Sequence, residues 1–231
     1  MKLWCVDDVM TRDVVSVGED TPYRELVDLL ISRRVSAVPV VDRHDRVTGV
    51  VSEADLLHKV EAAGGVSPRI FDAWRRRGDR AKAGGRTAAE VMTSPVVSAD
   101  GSLSLAAAAR RMQRERVKRL PVVDHQGHLI GIVTRSDLLK VHRRSDTEIC
   151  RDVVAEALPG ASVTDGTAVR VTCVDGVVSL AGRVHFRSAA ARLAGTARRV
   201  PGVVDVADGL TFDIDDSMIN GSERGTPFGV A

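Results

Sequence analysis

Two short turns of the sequence carry the residues best suited to ligand chemistry. Each has a glycine, two apolar residues, a serine or threonine, and an aspartate three positions later, and they occupy residues 49–55 and 131–137. A hydroxyl at a helix start, followed one turn later by a carboxylate, makes a small polar site beside unpaired backbone amides. The sequence therefore predicts that Ser52 with Asp55, and Thr134 with Asp137, form sites that suit a phosphorylated sugar.

The same four residues also suit a purely structural role. Serine and threonine are good helix N-caps, and an aspartate in the first turn interacts favourably with the helix dipole. The two turns differ in charge, because Lys118, Arg119 and Arg135 surround the second, whereas alanine and glutamate occupy the positions matching Arg119 and Arg135 in the first. We therefore expect phosphate groups to prefer the site of Asp137.

Neither turn has the machinery for cleaving a phosphate. The chain has no G-x-x-x-x-G-K-[S/T] loop, and the turn motif supplies neither a lysine for phosphate nor a second carboxylate for magnesium. The six histidines are scattered and form no acid–base constellation of known spacing. The sequence thus predicts binding rather than catalysis, with no catalytic residue, metal site or tightly bound cofactor.

Both turns belong to a repeat that aligns without a gap at an offset of 82 residues. The offset places the Val-Met-Thr of residues 9–11 on that of residues 91–93. It also places the Val-Pro-Val-Val-Asp of residues 38–42 on the Leu-Pro-Val-Val-Asp of residues 120–124. A match of this extent indicates two copies of one structural unit.

Each copy changes its hydrophobic period in the same order. Helical spacing over residues 24–34 and 104–116 is followed by two β-branched runs, which in the first copy span residues 37–41 and 47–51. The polar residues between those runs predict a hairpin turn, and the turn motif then begins another helix. The predicted unit is β-α-β-β-α, and the fold class is α+β.

This set of repeated motifs resembles the CBS domain, named after cystathionine β-synthase, whose tandem pairs form the Bateman module. The resemblance covers residue 6 to about residue 60 and residue 88 to about residue 141, and we assign residues 1–60 and 88–143 to the two repeats. It implies a module that senses AMP, ADP or ATP and that pairs into a homodimer.

The resemblance also implies roles for individual residues. In the CBS family, the residue that matches Asp55 and Asp137 hydrogen-bonds ribose hydroxyls. The residue that matches Ser52 and Thr134 contacts phosphate or ribose. Val38 and Leu120, which precede the strand prolines, match positions that flank adenine, and Thr11 and Thr93 lie near the opening strand. The expected nucleotide-binding residues are Thr11, Val38, Pro39, Ser52, Asp55, Thr93, Arg119, Leu120, Pro121, Thr134, Arg135 and Asp137.

The segment between the repeats, residues 61–87, is strongly basic. Residues 66–86 hold seven arginines or lysines against two aspartates, and Ile70, Phe71 and Trp74 occupy neighbouring helical positions. This pattern predicts a short amphipathic helix whose apolar side covers the module. Its arginines either face solvent or bind an acidic partner, nucleic acid or an anionic lipid surface.

From residue 145 the pattern changes. It predicts a helix over residues 146–158, a hairpin turning at Asp175-Gly176, a helix over residues 187–200 and a strand over residues 203–214. The D-G-V-V-S-L-A-G-R-V run and the later V-P-G-V-V-D-V resemble the BON domain, a small module thought to associate with phospholipid or with other proteins. We assign residues 145–215 to a BON-like domain of order α-β-β-α-β and expect the tail, residues 216–231, to be disordered.

Composition narrows the remaining alternatives. The 33 basic and 31 acidic residues give a formal net charge of +2, so no overall field directs the chain to nucleic acid or membrane. Three cysteines without CxxC pairing argue against a disulfide framework or a zinc site, and no apolar stretch suits a membrane span. We expect a cytoplasmic regulatory protein whose BON-like domain couples nucleotide binding to a protein partner. The alternative left open is a dimeric scaffold that binds no nucleotide.

Overall fold

The computed structural model describes residues 4–63, 82, 84–158 and 169–217, and it confirms the predicted α+β class. The described residues fall into two compact units. We call Cys5–Leu138 the tandem unit, and the residues from Leu139 onward, together with Trp4, the C-terminal unit. Ile70, Phe71 and Trp74 of the predicted amphipathic helix, and the tail beyond residue 217, lie outside the described residues.

The first repeat of the tandem unit has the predicted order of elements. Strand β1 pairs in parallel with β2, and β2 pairs antiparallel with β3. A one-turn helix at the Val-Met-Thr opening precedes this β-α-β-β-α unit and was not predicted from the sequence. The elements are α1 (Val6–Val9), β1 (Val17–Gly18), α2 (Tyr23–Arg33), β2 (Ala37–Val41), β3 (Val47–Ser52) and α3 (Glu53–Ala63).

The second repeat has the same sheet order and nearly the same backbone. Arg34 and Arg116, which match at the 82-residue offset, both adopt the left-handed conformation with φ of 53° and 55°, and so do Asp45 and Gly127. The two repeats therefore share even the rare positive φ angles of their backbones. Its elements are α4 (Ala88–Val91), β4 (Ala99–Asp100), α5 (Leu105–Arg114), β5 (Arg119–Val123), β6 (Leu129–Thr134) and α6 (Arg135–Leu138).

The opening segment of each repeat joins the sheet of the other repeat. The Thr11 amide donates to the Ile132 carbonyl at 2.9 Å, and the Ile132 amide donates to the Thr11 carbonyl at 2.9 Å. The matching pair is Thr93 with Val50, with distances of 2.8 and 3.2 Å. Each threonine of the Val-Met-Thr motif is therefore placed beside the turn motif of the opposite repeat.

The glycine that begins each turn motif makes room for this exchange. A Cβ atom on Gly131 would lie 2.5 Å from the sulfur of Met10, and one on Gly49 would lie 2.3 Å from the sulfur of Met92. The methionine of one repeat thus packs directly on the strand of the other. Because the methionine precedes the threonine, this contact fixes the position of the threonine backbone.

The hydrophobic core of the first repeat also includes residues of the second. Ala88 and Val91 of α4 are fully buried and pack with Leu26, Val40 and Val51. Burial of each of these valine and leucine side chains contributes roughly 1.5–3 kcal/mol. The two repeats therefore share their cores, and the spaces between them are held by packing as well as by backbone pairing.

The C-terminal unit has the predicted α-β-β-α-β order. One face of its three-stranded sheet is covered by two helices, whose contact residues include Ile149, Val153, Leu180 and Leu193. Strand β7 pairs antiparallel with β8, which pairs in parallel with β9. After a 3-10 helix at Leu139–Arg143, the elements are α7 (Asp146–Ala157), β7 (Arg170–Val174), β8 (Val177–Phe186), α8 (Arg187–Ala197) and β9 (Asp205–Ile214).

The predicted hairpin turn at Asp175-Gly176 is confirmed, and a helix holds it in place. Both turn residues have positive φ, 51° and 75°. The Asp146 carboxylate at the start of α7 accepts hydrogen bonds from their amides at 2.9 and 2.8 Å. The thiol of Cys173 donates to the same carboxylate at 3.3 Å.

The Cys173 thiol is expected to react slowly with alkylating reagents. Burial, and then the Asp146 carboxylate that accepts its hydrogen bond, raise the pKa of Cys173 to about 11. At pH 8 about 0.1% of such a thiol is ionised, against about 25% of an ordinary one. Alkylation followed by mass spectrometry should therefore label Cys173 far more slowly in the folded protein than in the urea-unfolded chain, and the same difference is expected in a Cys150→Ser variant. Equal labelling rates in the two states would contradict this prediction.

Candidate functional site

The first candidate site is a cavity of about 550 Å³ beside the second turn motif, a volume within the range of small-molecule sites. We call it the Asp137 cavity. It combines the turn motif of the second repeat with the opening and pre-strand residues of the first. Its lining residues are Thr11, Asp13, Val14, Val15, Arg34, Val35, Ser36, Ala37, Lys118, Arg119, Ile132, Thr134, Arg135, Ser136 and Asp137.

A second cavity of about 500 Å³ has the reverse composition, and we call it the Asp55 cavity. Here the turn motif comes from the first repeat, and the opening and pre-strand residues come from the second. Lys118 and Arg119 border both cavities. The lining residues are Ser36, Val50, Ser52, Glu53, Ala54, Asp55, Leu57, Thr93, Pro95, Val96, Val97, Arg116, Val117, Lys118 and Arg119.

Each turn motif is held by its own aspartate. One Asp137 oxygen accepts from the Thr134 amide at 2.8 Å and from the Thr134 hydroxyl at 2.6 Å. The Asp137 amide is 3.3 Å from the Thr134 hydroxyl oxygen, which accepts it as the predicted cap. In the first repeat the Ser52 amide and hydroxyl donate to Asp55 at 2.8 and 2.5 Å. Thr134 thus has the capping role that the sequence predicts, and in both repeats the aspartate that accepts these bonds borders its cavity as well.

The Asp137 cavity carries an excess of positive charge. The Arg119 guanidinium donates to the Ser36 hydroxyl at 2.8 Å, and the Arg135 guanidinium donates to the Val117 carbonyl at 3.1 Å. Burial lowers the pKa of Arg119, while the negative charge of Glu53 opposes that shift. Four cationic residues and two carboxylates line this cavity, namely Arg34, Lys118, Arg119 and Arg135 with Asp13 and Asp137.

The Asp55 carboxylate is paired with a lysine of the same chain. Lys82 donates to one oxygen of Asp55 and, at 2.8 Å, to the Thr93 hydroxyl, which itself donates to Asp55 at 2.9 Å. Asp55 is only 8% exposed. Burial acts to raise the pKa of Asp55, but hydrogen bonds from Lys82 and Ser52 outweigh it and hold that pKa below its usual value.

The structure divides the predicted site residues into three groups. Thr11, Thr134, Arg135 and Asp137 border the Asp137 cavity, with Arg119 shared. Those bordering the Asp55 cavity are Ser52, Asp55 and Thr93, again with Arg119. Four predicted residues border neither cavity, and these are Val38, Pro39, Leu120 and Pro121.

Val38 and Leu120, which the family resemblance places beside an adenine, do not line either cavity. Val38 is 1% exposed and Leu120 is 0% exposed, because both side chains point into the cores behind the sheets. Their neighbours Pro39 and Pro121 are also buried. Other apolar side chains line the two cavities.

The apolar lining of the cavities comes from residues that the sequence analysis did not select. In the Asp137 cavity it is supplied by Val14, Val15 and Val35. At the 82-residue offset, Val35 matches Val117 of the Asp55 cavity. Val35 and Val117 lie three residues before Val38 and Leu120, at the entry to strands β2 and β5. The alignment of the two repeats could have identified these two positions, since both are valine.

The described part of the chain contains neither a candidate metal site nor a candidate membrane-spanning helix. Within residues 4–63, 82, 84–158 and 169–217, no group of three or more His, Cys, Asp or Glu side chains is arranged to hold a metal ion. Over the same ranges, no helix has the length and apolar character needed to cross a membrane.

Two known domain families match the sequence, one in the tandem unit and one in the C-terminal unit. The sequence profile of the CBS domain matches residues 6–62 and 88–144, and that of the BON domain matches residues 145–213. The chain is a tandem CBS-domain protein with a C-terminal BON domain. The predicted family assignment is thereby confirmed.

Individual CBS-pair relatives resemble the tandem unit. CBSX2, a chloroplastic CBS domain-containing protein of Arabidopsis thaliana, is 32% identical over 59% of this chain and 63% of its own length. The crystal structure of CBSX2 in complex with AMP is 33% identical and superposes with a TM-score of 0.52, covering 59% of this chain and 95% of that one. The similarity is thus confined to the CBS pair and does not include the BON domain.

An enzyme is also among the relatives. Inosine-5'-monophosphate dehydrogenase of Methanocaldococcus jannaschii is 30% identical over 68% of this chain, but this chain spans only 27% of the dehydrogenase. A match of that extent reaches its CBS region and does not bring the dehydrogenase activity to this chain.

Proposed function

We propose that this protein is a regulatory module that binds AMP or a related adenine nucleotide in the Asp137 cavity. The observation that carries the proposal is the composition of that cavity, where apolar, hydroxyl, carboxylate and cationic groups converge from both repeats. The complex of CBSX2 with AMP supports the choice of ligand, since that CBS pair is 33% identical to this one.

Each part of a nucleotide finds a suitable group in the cavity. Val14 and Val35 supply apolar surface for the base, and the Asp137 carboxylate supplies acceptor oxygens for ribose hydroxyls. Arg34 and Arg135 supply guanidinium groups, whose planar fork suits phosphate oxygens. ADP and ATP present the same base and sugar with more charge, and the excess of cations in the cavity accommodates them.

A ligand in this position links the two repeats. Thr11 of the first repeat and Thr134 of the second line the same cavity, and the Thr11 backbone pairs with Ile132 of the strand that ends at Thr134. A nucleotide that contacts both repeats favours the arrangement in which they are closest, because a ligand shifts an equilibrium only through differential affinity. In this proposal the module pairs into a homodimer, and the BON domain passes the change to a protein partner.

Titration calorimetry with AMP tests the proposal. Asp137→Ala should weaken AMP binding at least tenfold, which corresponds to about 1.4 kcal/mol, because it removes the carboxylate from the cavity. Asp55→Ala is the matched control, since it changes the equivalent residue of the other repeat, and its Kd should stay within about threefold of that of the wild type. ADP, ATP and NAD titrations on the same samples rank the ligands.

Two results would overturn this function. Equal losses of affinity in the two variants would show that the cavities are not distinguished as proposed. Flat traces for all four ligands, with an intact dimer by sedimentation, would identify the CBS pair as a scaffold that holds the BON domains together.

A further inference from the structure

The Asp55 cavity differs from its counterpart in a way that the repeat does not predict. Lys82 comes from the segment between the repeats, and its ammonium group lies between Asp55 and Thr93, with which it forms hydrogen bonds. The side chains of Lys82 and Asp55 are 18% and 10% exposed, so this ion pair is largely shielded from water. Residue 164, which the 82-residue offset matches to Lys82, is a threonine beyond the CBS pair.

The hydrogen bonds around Asp55 occupy its acceptor capacity. One carboxylate oxygen accepts from Lys82 and the Thr93 hydroxyl, and the other accepts from the amide and hydroxyl of Ser52. An ionised carboxylate offers about four acceptor positions. A ribose hydroxyl therefore finds no free position on Asp55 unless Lys82 or Thr93 withdraws.

A tight turn holds Lys82 in place. The Gly85 amide donates to the Lys82 carbonyl at 3.1 Å, and the Gly85 carbonyl accepts from the Lys59 ammonium at 2.9 Å. A Cβ atom on Gly85 would lie 2.6 Å from a Val91 methyl group, so the turn packs directly on the buried helix α4. The next residue is anchored as well, since the Arg86 carbonyl accepts from the Tyr23 amide at 2.8 Å.

We propose that Lys82 is a specificity-determining residue that acts as an internal cation and occupies the acceptor position on Asp55 that a ribose hydroxyl would need, so that each chain binds one adenine nucleotide instead of two. This inference rests on the proposed function, because it concerns the same ligand. Several walls of the Asp55 cavity match those of the Asp137 cavity, with Val117 for Val35 and Arg116 for Arg34, although Glu53 takes the place of Arg135. Removal of the Lys82 charge should therefore open a second nucleotide site.

The stoichiometry of AMP binding tests the proposal. Calorimetry on the full chain should give one AMP per wild-type chain and two per Lys82→Met chain. Adding Asp55→Ala to that variant should return the value to one. Lys82→Arg, which keeps the cation, is the control and should bind one AMP. Far-UV circular dichroism on every variant verifies that it is folded.

A second variant answers the same question without touching the ion pair. Gly85→Val brings side-chain atoms against Val91, displaces the turn that holds Lys82, and should also raise the stoichiometry to two. Two AMP per wild-type chain would refute the role of Lys82 but not the proposed function. One AMP per chain in both the Lys82→Met and the Gly85→Val variants, if both are folded, would have the same meaning. Binding in the Lys82→Met chain with none in the wild type would support that role and refute the Asp137 cavity, whereas flat traces throughout would refute both.

Discussion

Leu120→Ala is expected to lower the free energy of unfolding of the tandem unit by about 2–5 kcal/mol, while the folded protein keeps its affinity for AMP within twofold. Leu120 is fully buried on β5 and pairs in register with Val133 of β6. Truncation leaves a cavity between the strands and the helices behind them. Urea unfolding followed by circular dichroism, with hydrogen exchange of the β5 and β6 amides, measures the loss.

Two valines of the first repeat allow a core role to be distinguished from a ligand-binding role. Val38→Ala changes a side chain that is 1% exposed in the core, whereas Val35→Ala changes one that lines the Asp137 cavity. We expect Val38→Ala to destabilise the protein without weakening AMP binding, and Val35→Ala to weaken binding severalfold with the smaller loss of stability. Weakened binding in folded Val38→Ala and Leu120→Ala would restore the base-flanking role that their burial argues against.

Local patterns in the sequence predict most of the secondary structure. Strand β2 runs over Ala37–Val41, as its β-branched run indicates, and the positive φ values at Asp175 and Gly176 follow from residues that tolerate them. Period-two alternation also places Val38 on the same face as Val40, which is fully buried. All five residues of this strand are apolar and its first four are buried, so alternation alone does not separate core-facing from ligand-facing positions, and the burial of Val38 is known only from the folded chain.

The composition of the cavities depends on contacts that no local pattern encodes. Thr11 belongs to the first repeat but pairs with Ile132 of the second, and only the folded chain shows that exchange. The offset of 82 residues reveals two copies, yet it does not show whether a site uses residues of one copy or of both. Lys82 is likewise one of seven cations between residues 66 and 86, and its pairing with Asp55 follows from the turn at Gly85.

Lys82→Met is also expected to destabilise the folded protein, by about 3 kcal/mol at pH 7. The substitution leaves the Asp55 carboxylate in a site where only 8% of the residue is exposed, without the cation that compensates its burial. The double variant Lys82→Met/Asp55→Asn removes the uncompensated charge and should recover most of the lost stability. Urea unfolding of the wild type, both single variants and the double variant gives the coupling energy of the pair.

The pH dependence of that loss identifies its cause. In the wild type the pKa of Asp55 is lowered, so the pair stabilises the folded state above the ordinary carboxylate pKa and loses this contribution as the pH falls through the lowered value. Without Lys82, burial is opposed by Ser52 and Thr93 alone, and the pKa of Asp55 should rise. The difference in stability between the wild type and Lys82→Met should therefore shrink as the pH falls from 7 toward 4.

A difference that stays constant over this pH range would mean that Lys82 acts through packing of its alkyl chain. It would leave Asp55 ionised in the variant, with water or other donors replacing the ammonium group. A shrinking difference, together with recovery in the double variant, would assign the stabilisation to the charge pair itself. The cation that keeps a nucleotide out of the Asp55 cavity would then be the same group that allows the Asp55 carboxylate to remain ionised, so that nucleotide exclusion and stabilisation of the fold depend on one interaction.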